Sequence, residues 1–469
     1  MERGISILDS TLREGELFRA FGESTRLSVA SLLAKVGVSK AELTVDYPRR
    51  TSADELDRVM RVLRDGGVEV VLHGRACEED VERIAGHNPD GCGLYIAISR
   101  SHREHKLHGM TEESTVAQLC KSVTEARSQG MRYVRATLED ASRVYLEEGG
   151  EGIKRFGKII ERLREAGATM VSVPDTSGLM TPRQAASFFR ALRDASTLPL
   201  SAHFHNDYGF ASANTVEAAL EGAEELQVSL MGIGDRNGIG DFYEVVAALN
   251  DAHGTPTDVV RGRLSGAYRE FTKSTGIDQY WRHPLSDEAR TVRAGVHQSM
   301  TTRRPDGYIP KKKLESDFEG PRYMVNQFVS HSLIRAILTK VSGDVDEGSS
   351  RRVAERVASS ARVRGSVTIS YIQEIIKAET GIDASRSQIA DVMGGQKVYV
   401  LLKLRPQLPA AKIAGEIEKW DDVEMVEEVY GESDMIVRAA MRTDGDNVVT
   451  KLRKRYPDAI LDLKTLFCD

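Results

Sequence analysis

The feature that most constrains the fold of this chain is a repeat of short β-branched segments and amphipathic segments between residues 5 and 262. Eight segments have the length and composition of buried strands. They span residues 5–9, 41–46, 68–74, 93–99, 133–140, 169–175, 199–205 and 226–233. The segments between them have helical spacing, and several end in glycine, which favours helix termination. Eight strands alternating with helices over roughly 250 residues predict an α/β fold, a (β/α)8 TIM barrel.

The remainder of the chain predicts additional domains. A chain of 469 residues is too long for one hydrophobic core. Residues 263–395 are weakly periodic and mostly helical. Residues 396–469 follow the order strand, helix, strand, strand, helix, strand, which is typical of a ferredoxin-like βαββαβ unit. We therefore predict a barrel at 1–262, linker subdomains at 263–395 and a ligand-sensing or dimerising unit at 396–469.

Two alternative interpretations of these segments are weaker. A doubly wound parallel sheet would also alternate strands and helices, but no G-x-G-x-x-G motif follows the first strand. The helical pair near residues 369–393 resembles a helix-turn-helix, but its positive and negative charges balance, so DNA binding is disfavoured. Packing helices are the simpler interpretation.

Composition narrows the class of protein. The chain is 41% hydrophobic and 29% charged with a formal net charge of −6, so no basic excess points to nucleic acid or to an anionic membrane. The N-terminal segment lacks an apolar core of a signal peptide, and no stretch approaches the ~18 apolar residues of a membrane span. The four cysteines have no C-x-x-C spacing, which is typical of free thiols. We expect a cytoplasmic protein with neither nucleic-acid nor membrane partners.

The segment SAHFHND places two histidines at the end of the seventh predicted strand. Because side chains alternate along a strand, His203 and His205 point to the same face and Phe204 to the other. Two imidazoles on one face form a plausible divalent-metal site. A lone H-x-H motif is also compatible with one core histidine and one surface histidine.

Other polar residues follow the predicted strands, where active sites of such barrels lie. Glu14 can complete a ligand set with His203 and His205, suited to Mg²⁺, Mn²⁺ or Zn²⁺. A cation there would polarise a 2-oxo acid, and Arg13 could stabilise the negative charge that develops on the ketone oxygen. This constellation indicates carbon–carbon bond chemistry at a ketone, in either direction.

A second group of residues could bind the far end of the same substrate. Arg135 is a candidate for a fork that binds a second carboxylate, and His73, Thr137 and Thr176 can add neutral hydrogen bonds. Each arginine, Arg13 included, could instead belong to a structural ion pair.

Six motifs together resemble a known enzyme family. They are DSTLREGE, VRATLED, DTSG, HFHND, GIGDRNG and RAGVH, at residues 9–16, 134–140, 175–178, 203–207, 232–238 and 293–297. Their order is similar to that in the isopropylmalate, homocitrate and citramalate synthases, of the DRE-TIM metallolyase type, over about residues 4–340. The C-terminal unit resembles the ligand-binding (RAM/ACT-like) module of AsnC/Lrp-type regulators, which some archaeal homocitrate synthases carry.

The resemblance implies a metal-dependent acyltransferase. Such enzymes condense acetyl-CoA with a 2-oxo acid and then hydrolyse the thioester. The implied metal ligands are Glu14, His203 and His205. The implied catalytic residues are Arg13, His297, which removes an acetyl proton, and Tyr308, which assists. The implied 2-oxoglutarate contacts are His73, Arg135, Thr137 and Thr176. His297 and Tyr308 would come from a partner subunit, so the resemblance implies a homodimer with swapped linker regions, and an amino-acid effector at the C-terminal unit.

The position of Arg135 favours a homocitrate synthase over an isopropylmalate synthase, because the latter generally has an acidic residue there. The sequence also departs from the family pattern at four positions. They are Leu17 for Gln, Gly93 for a frequent Asp, Asp235 for Glu and Val292 for a frequent His. These departures keep three alternatives open: a sibling synthase acting on another 2-oxo acid, a metal-dependent aldolase or lyase, and a barrel without turnover that acts as an amino-acid sensor or scaffold.

Overall fold

The computed structural model describes residues 4–47, 51–318, 320–343, 345–365, 367–395, 397–406, 409–420, 422–440 and 448–467. Within it the chain forms two compact units, Met1–Thr275 and Gly276–Asp469. None of the helices among these residues is both long and apolar enough to cross a membrane.

The first unit is a closed barrel of eight parallel strands in sequential order, which confirms the predicted TIM barrel. Its strands are β1 Ser6–Asp9, β2 Lys40–Thr44, β3 Glu69–Arg75, β4 Gly91–Ala97, β5 Tyr133–Glu139, β6 Met170–Ser172, β7 Leu200–Ala202 and β8 Glu225–Val228. Its helices are α1 Gly15–Phe18, α2 Glu23–Val36, α3 Ala53–Asp65, α4 Glu78–Gly86, α5 Arg100–His105, α6 Glu112–Ser128, α7 Ala141–Glu148, α8 Gly150–Ala166, α9 Pro182–Ala195, α10 Ala211–Leu220, α11 Phe242–Ala247 and α12 Leu264–Thr275.

Local sequence explains where these helices begin and end. Helix α9 begins at a capping box, in which Thr181 and Gln184 satisfy each other's backbone N–H groups, and Pro182 occupies its first turn. Helix α2 ends at Gly37, whose φ of 84° lies in the left-handed region that glycine adopts without steric cost.

Strands β6 and β7 are shorter than the sequence predicts. The predicted segments ran to residues 175 and 205, whereas the strands end at Ser172 and Ala202. Beyond them the chain stays extended but pairs only through isolated bridges, Asp175 with Phe204 and His205 with Ile239. The sequence pattern reflects this extended backbone and not the ladder pairing, and therefore it overestimates strand length.

The second unit contains a helical cluster and an antiparallel sheet. Its helices are α13 Gly295–Thr301, α14 Lys311–Ser316, α15 His331–Ser342, α16 Glu347–Arg364, α17 Ile369–Thr380, α18 Arg386–Val392, α19 Ala410–Ile417 and α20 Val448–Arg455. Its strands are β9 Thr291–Val292, β10 Arg322–Tyr323, β11 Lys397–Leu404, β12 Val423–Glu428, β13 Met435–Ala440 and β14 Ile460–Phe467. Strands β9 and β10 form a small parallel pair.

The C-terminal sheet confirms the predicted βαββαβ unit. Its strand order is β12-β13-β11-β14 and all its pairs are antiparallel. Strand β11 alternates between buried and partly exposed residues, because one face packs on the core that includes Ile417 of α19 and Leu452 of α20.

Candidate active site

Three predicted metal ligands converge at the mouth of the barrel. Glu14 follows β1, and His203 and His205 follow β7. Their ligand atoms all lie within 4.8 Å of one another. The two Nε2 atoms are 3.3 Å apart, and Nε2 of His203 is 3.8 Å from Oε1 of Glu14. Residues distant in the sequence thus form one compact set of two imidazoles and a carboxylate.

The backbone after β7 explains why both imidazoles face the same side. The Asp175 N–H donates to the His203 carbonyl at 2.9 Å, and the His205 N–H donates to the Asp175 carbonyl at 3.3 Å. These bonds keep the segment extended, so Phe204 points away from the histidines and its ring lies 5.8 Å from that of Phe189.

Burial and neighbouring charges set the protonation of the three side chains. Burial lowers the pKa of His203 well below its ordinary value and also lowers the pKa of His205, so both rings are neutral and retain a lone pair. Burial alone would raise the pKa of Glu14, but the charge of Arg13 and the interaction with His205 lower it. The Glu14 Oε2 atom is buried without a hydrogen-bond partner among the described residues. A cation would satisfy this oxygen, so the donor set fits a divalent metal.

Arg13 lies next to this set. Its Nη1 donates to Oε1 of Glu14 at 2.6 Å, and its Nε donates to Ser10 Oγ at 3.0 Å and to Glu42. Burial opposes the charge of Arg13, but Glu42 and Glu14 outweigh it and raise the pKa of the guanidinium. Arg13 is therefore a fixed cation beside the metal-ligand set.

The predicted acceptor-binding arginine lies inside the barrel. Arg135 is 1% exposed, and its Nη2 donates to Oε1 of Glu42. Its Nη1 is 3.6 Å from Oε1 of Glu225, and neither its Nε nor its Nη1 has a hydrogen-bond partner among the described residues. Arg135 thus belongs to an internal ion-pair network, and two of its nitrogens have no hydrogen-bond partner among the described residues.

The other three predicted acceptor contacts have different surroundings. The His73 ring stacks on Tyr95 with a centroid distance of 4.9 Å, and burial lowers its pKa to about 3, so the ring is neutral. The Thr137 hydroxyl is buried without a partner among the described residues. Oγ1 of Thr176 accepts a hydrogen bond from the Asp140 N–H at 2.9 Å. His73 and Arg135 flank Gly93 in the sheet register, so these two face the same part of the interior.

His297 and Tyr308 belong to the second unit, where they contact each other. Their rings stack with a centroid distance of 3.9 Å, and Tyr308 is 51% exposed. The stacking fixes the orientation of the two rings relative to each other.

A glycine-rich loop fixes the segment that carries the histidines. The Arg236 guanidinium donates to both carboxylate oxygens of Asp207 at 2.8 and 2.9 Å and to the Thr176 carbonyl at 2.8 Å. The Asn206 N–H donates to the Gly238 carbonyl at 2.9 Å. A Cβ atom at Gly238 would lie 1.8 Å from the Gly232 carbonyl oxygen, so the loop requires glycine there.

The four departures from the family pattern have separate locations. Leu17 is 49% exposed in α1, and Val292 is buried in β9. Asp235 pairs with Arg236 at 2.8 Å. A Cβ atom at Gly93 would lie 2.6 Å from Nη2 of Arg135, so a side chain there would meet the guanidinium.

Glu42 is the residue at this site that the sequence analysis missed. It is fully buried in β2 and contacts both Arg13 and Arg135. The available signal was a glutamate in the middle of the apolar strand segment AELTV, which is unusual for a buried strand.

Comparison with known proteins gives three findings. The sequence pattern of the HMGL-like family matches residues 4–265, which is more than half of the chain. The chain is 26% identical over 462 residues to a homocitrate synthase of Sulfolobus acidocaldarius, covering 96% of this chain and 94% of that protein. It is also 26% identical over 377 residues to the homocitrate synthase AksA of Methanopyrus kandleri, covering 80% of this chain and 92% of the relative.

Solved structures share the fold of the barrel. The HMG-CoA lyase of Bacillus subtilis superposes with a TM-score of 0.52 at 20% identity, covering 60% of this chain and 96% of that chain. The hydroxymethylglutaryl-CoA lyase of Pseudomonas aeruginosa superposes with a TM-score of 0.50 at 19% identity, covering 59% of this chain and 95% of the other.

Proposed function

The chain belongs to the HMGL-like family, and from this premise we propose that it condenses acetyl-CoA with 2-oxoglutarate and releases homocitrate and CoA, as in lysine biosynthesis through aminoadipate. The observation that carries the proposal is the convergence of Glu14, His203 and His205 beside Arg13. The family and the relatives that are named homocitrate synthases indicate a lyase- or synthase-type enzyme. The acceptor, the metal and the acyl transfer are our proposal.

The barrel residues would bind and polarise the acceptor. A divalent cation (Mg²⁺, Mn²⁺ or Zn²⁺) held by Glu14, His203 and His205 would supply Lewis-acid polarisation of the ketone. Arg13 would donate hydrogen bonds to the negative charge that develops on the ketone oxygen. The distal carboxylate of 2-oxoglutarate would bind the free N–H groups of Arg135.

The neutral hydrogen-bonding side chains would orient this acceptor. His73, kept neutral by burial, can donate a hydrogen bond without adding charge, and the unpaired Thr137 hydroxyl can do the same. The Thr176 hydroxyl keeps its own proton for donation, because its oxygen is the acceptor from Asp140. Together these contacts would select an acceptor with polar groups at both ends.

The proton transfer is assigned to the second unit. His297 would remove a proton from the acetyl methyl group, and Tyr308, stacked on it, would orient the ring. The resulting carbanion equivalent would attack the ketone carbon, the C=O π electrons would move to the oxygen beside Arg13, and the alkoxide would take up one proton in exchange for the one removed from the methyl group. Water then cleaves the thioester and releases free CoA. In a homodimer with swapped linker regions, these two residues would serve the barrel of the partner.

The C-terminal unit would regulate the enzyme. Its βαββαβ topology supports the proposed likeness to RAM/ACT-like modules, and an amino acid such as lysine is the proposed effector. Inhibition by the amino acid should weaken when residues 396–469 are removed. Superimposable inhibition curves for the intact and shortened enzymes would exclude this role.

A thiol-release screen tests the proposed function. Acetyl-CoA is incubated with a panel of 2-oxo acids, with and without a chelator, and free CoA is measured. We expect chelator-sensitive release that is fastest with 2-oxoglutarate. Fastest release with another 2-oxo acid would identify a sibling synthase. An absence of release with every acceptor would favour the amino-acid sensor.

A further inference from the structure

We propose that Glu42 is a positioning residue that holds Arg13 and Arg135 in register, and that it thereby couples recognition of a dicarboxylic acceptor to stabilisation of the reacting oxygen. This inference rests on the proposed function for the identity of the acceptor. It concerns a residue on β2 that belongs neither to the metal ligands nor to the predicted acceptor contacts.

The two oxygens of the Glu42 carboxylate serve different arginines. Oε2 accepts from Arg13 Nε and from Ser10 Oγ, the latter at 3.0 Å. Oε1 accepts from Arg135 Nη2. Glu42 is fully buried, and the two positive charges hold its pKa well below the ordinary value against the effect of burial. One carboxylate therefore bridges a guanidinium beside the metal ligands and a second guanidinium on β5.

Glu42 and Glu225 hold Arg135 from two different regions of the barrel. Glu225 is the first residue of β8. It also contacts Lys40 and Tyr133, which are the first residues of β2 and β5, and accepts a hydrogen bond from Ser201 of β7. Glu42 instead connects through Arg13 to Glu14 at the mouth. Removal of the Glu42 charge would leave Glu225 as the remaining anion that pairs with Arg135, and would draw the guanidinium toward the strand starts, away from an acceptor.

Gly93 makes room for this ion pair. A Cβ atom at Gly93 would lie 2.6 Å from Arg135 Nη2, 3.1 Å from Glu42 Oε1 and 3.1 Å from His73 Cδ2. The Arg135 side chain thus passes over a strand position without a side chain to reach β2. The glycine at this position and the glutamate on β2 act on the same ion pair from two strands.

The substitution Glu42→Gln tests the bridge because an amide has one carbonyl oxygen and one NH2 group. The oxygen can accept from one arginine, but the NH2 group then faces the N–H groups of the other. Glu42→Asp keeps the charge and is shorter by one methylene, so it cannot reach both arginines. Glu225→Gln is the matched control, since it removes a buried carboxylate next to Arg135 without any contact to Arg13.

The experiment compares 2-oxoglutarate with 2-oxopentanoate, which lacks the distal carboxylate. Binding is measured by calorimetry with Mn²⁺ and no acetyl-CoA, and turnover by CoA release; thermal melting verifies folding. In Glu42→Gln we expect at least about a tenfold loss of the preference for 2-oxoglutarate, and a lower kcat with both acceptors. Gly93→Ala should reduce the preference with a smaller fall in kcat, because the contact between Glu42 and Arg13 remains. Glu225→Gln should keep the preference.

The outcomes separate this inference from the proposed function. A folded Glu42→Gln or Glu42→Asp variant with the wild-type preference would overturn the inference while leaving the condensation intact. An equal loss in Glu225→Gln would also overturn it, since any buried carboxylate would then suffice. If wild-type protein binds both acceptors but releases no CoA, the proposed function fails, whereas the calorimetric loss in Glu42→Gln would still support the bridge. If it binds neither acid, both fail.

Discussion

The interior of the barrel and the cores of the second unit are built in different ways. Inside the barrel, Glu42, Arg135 and Glu225 are at most 1% exposed. Arg135 pairs with both carboxylates, and Arg13 and Lys40 supply the further positive charges of the network. In the second unit, the buried clusters consist of side chains such as Ile337, Ile372 and Leu402. Apolar packing is non-directional and tolerates conservative exchange, whereas buried charges are stable only as a complete set. The barrel interior therefore holds charges in fixed positions, but it tolerates substitution less well than an apolar core.

The largest loss of activity is expected when one of the proposed metal ligands in the barrel is replaced. Glu14→Ala or His203→Ala should abolish metal-dependent CoA release, because either change removes one of three donors from the set. Metal content after gel filtration and CoA release are the two measurements. Leu402→Ala in the sheet core is the control and should keep both. Undiminished metal-dependent turnover in Glu14→Ala would show that this carboxylate is not a metal ligand.

The next largest effects are on the free energy of unfolding, and they compare the charged core with the apolar core. Glu225→Ala should destabilise the barrel by about 3–5 kcal/mol, because Lys40 and Arg135 would lose a fully buried counter-ion. Leu402→Ala should destabilise the sheet by about 2–5 kcal/mol through the cavity it leaves.

Replacing each residue by methionine, which is similar in size, distinguishes the apolar core from the charged core. Leu402→Met should recover most of the lost free energy of unfolding, since packing tolerates it. Glu225→Met should recover little, because Lys40 would still lack this carboxylate and Arg135 would be left with Glu42 alone. Equal recovery at both positions, measured by chemical denaturation, would remove the distinction between the two cores.

A smaller effect, on the KM for the acceptor, is expected when Arg135 in the barrel interior is replaced. Arg135→Ala should raise the KM for 2-oxoglutarate by about tenfold to a hundredfold, through the loss of a charge-assisted hydrogen bond. The KM for 2-oxopentanoate should change much less. An equal rise in KM for both acceptors would assign Arg135 a structural role only.

The smallest effect is on stability, and it concerns His87 in the helical layer outside the barrel strands. His87 Nδ1 lies 2.6 Å from Asp57 and its Nε2 lies 2.9 Å from Asp46. Burial opposes the charge of His87, but the two carboxylates raise its pKa. This stabilisation is therefore complete below about pH 6.5 and is lost as the pH rises through the raised pKa.

The variant His87→Gln isolates this contribution. It should reduce the free energy of unfolding by about 1 kcal/mol or less at pH 6 and should have a smaller effect at pH 9. Chemical denaturation at the two pH values measures the difference. A loss that is larger at pH 9 would contradict the sign of the pKa shift.

Sequence periodicity was sufficient to predict the barrel and the βαββαβ unit, because each depends on the order of strands and helices. It also predicted that Glu14, His203 and His205 lie at the same end, since the carboxyl ends of parallel strands meet there. It could not locate the ends of β6 and β7, because isolated bridges extend the apolar pattern beyond the ladder.

The ion-pair network in the barrel was beyond the reach of periodicity. Glu42 and Arg135 lie on strands that are far apart in the sequence, and their contact depends on the register across β4 and on the absence of a side chain at Gly93. Arg135 was predicted as an acceptor contact from its place on the fifth predicted strand and from the resemblance. For its partner on β2 the sequence offers only a glutamate in an apolar strand segment, which does not identify the arginine it pairs with.

The loop from Gly232 to Gly238 has a consequence for the synthesis of the protein on the ribosome. Arg236, Gly238 and Ile239 anchor the histidine segment from a part of the chain made after it. A nascent chain that ends before this loop would contain all three proposed metal ligands and Asp175, yet lack the contacts that Arg236, Gly238 and Ile239 add to the histidine segment. Full metal affinity should therefore require the eighth strand and its loop.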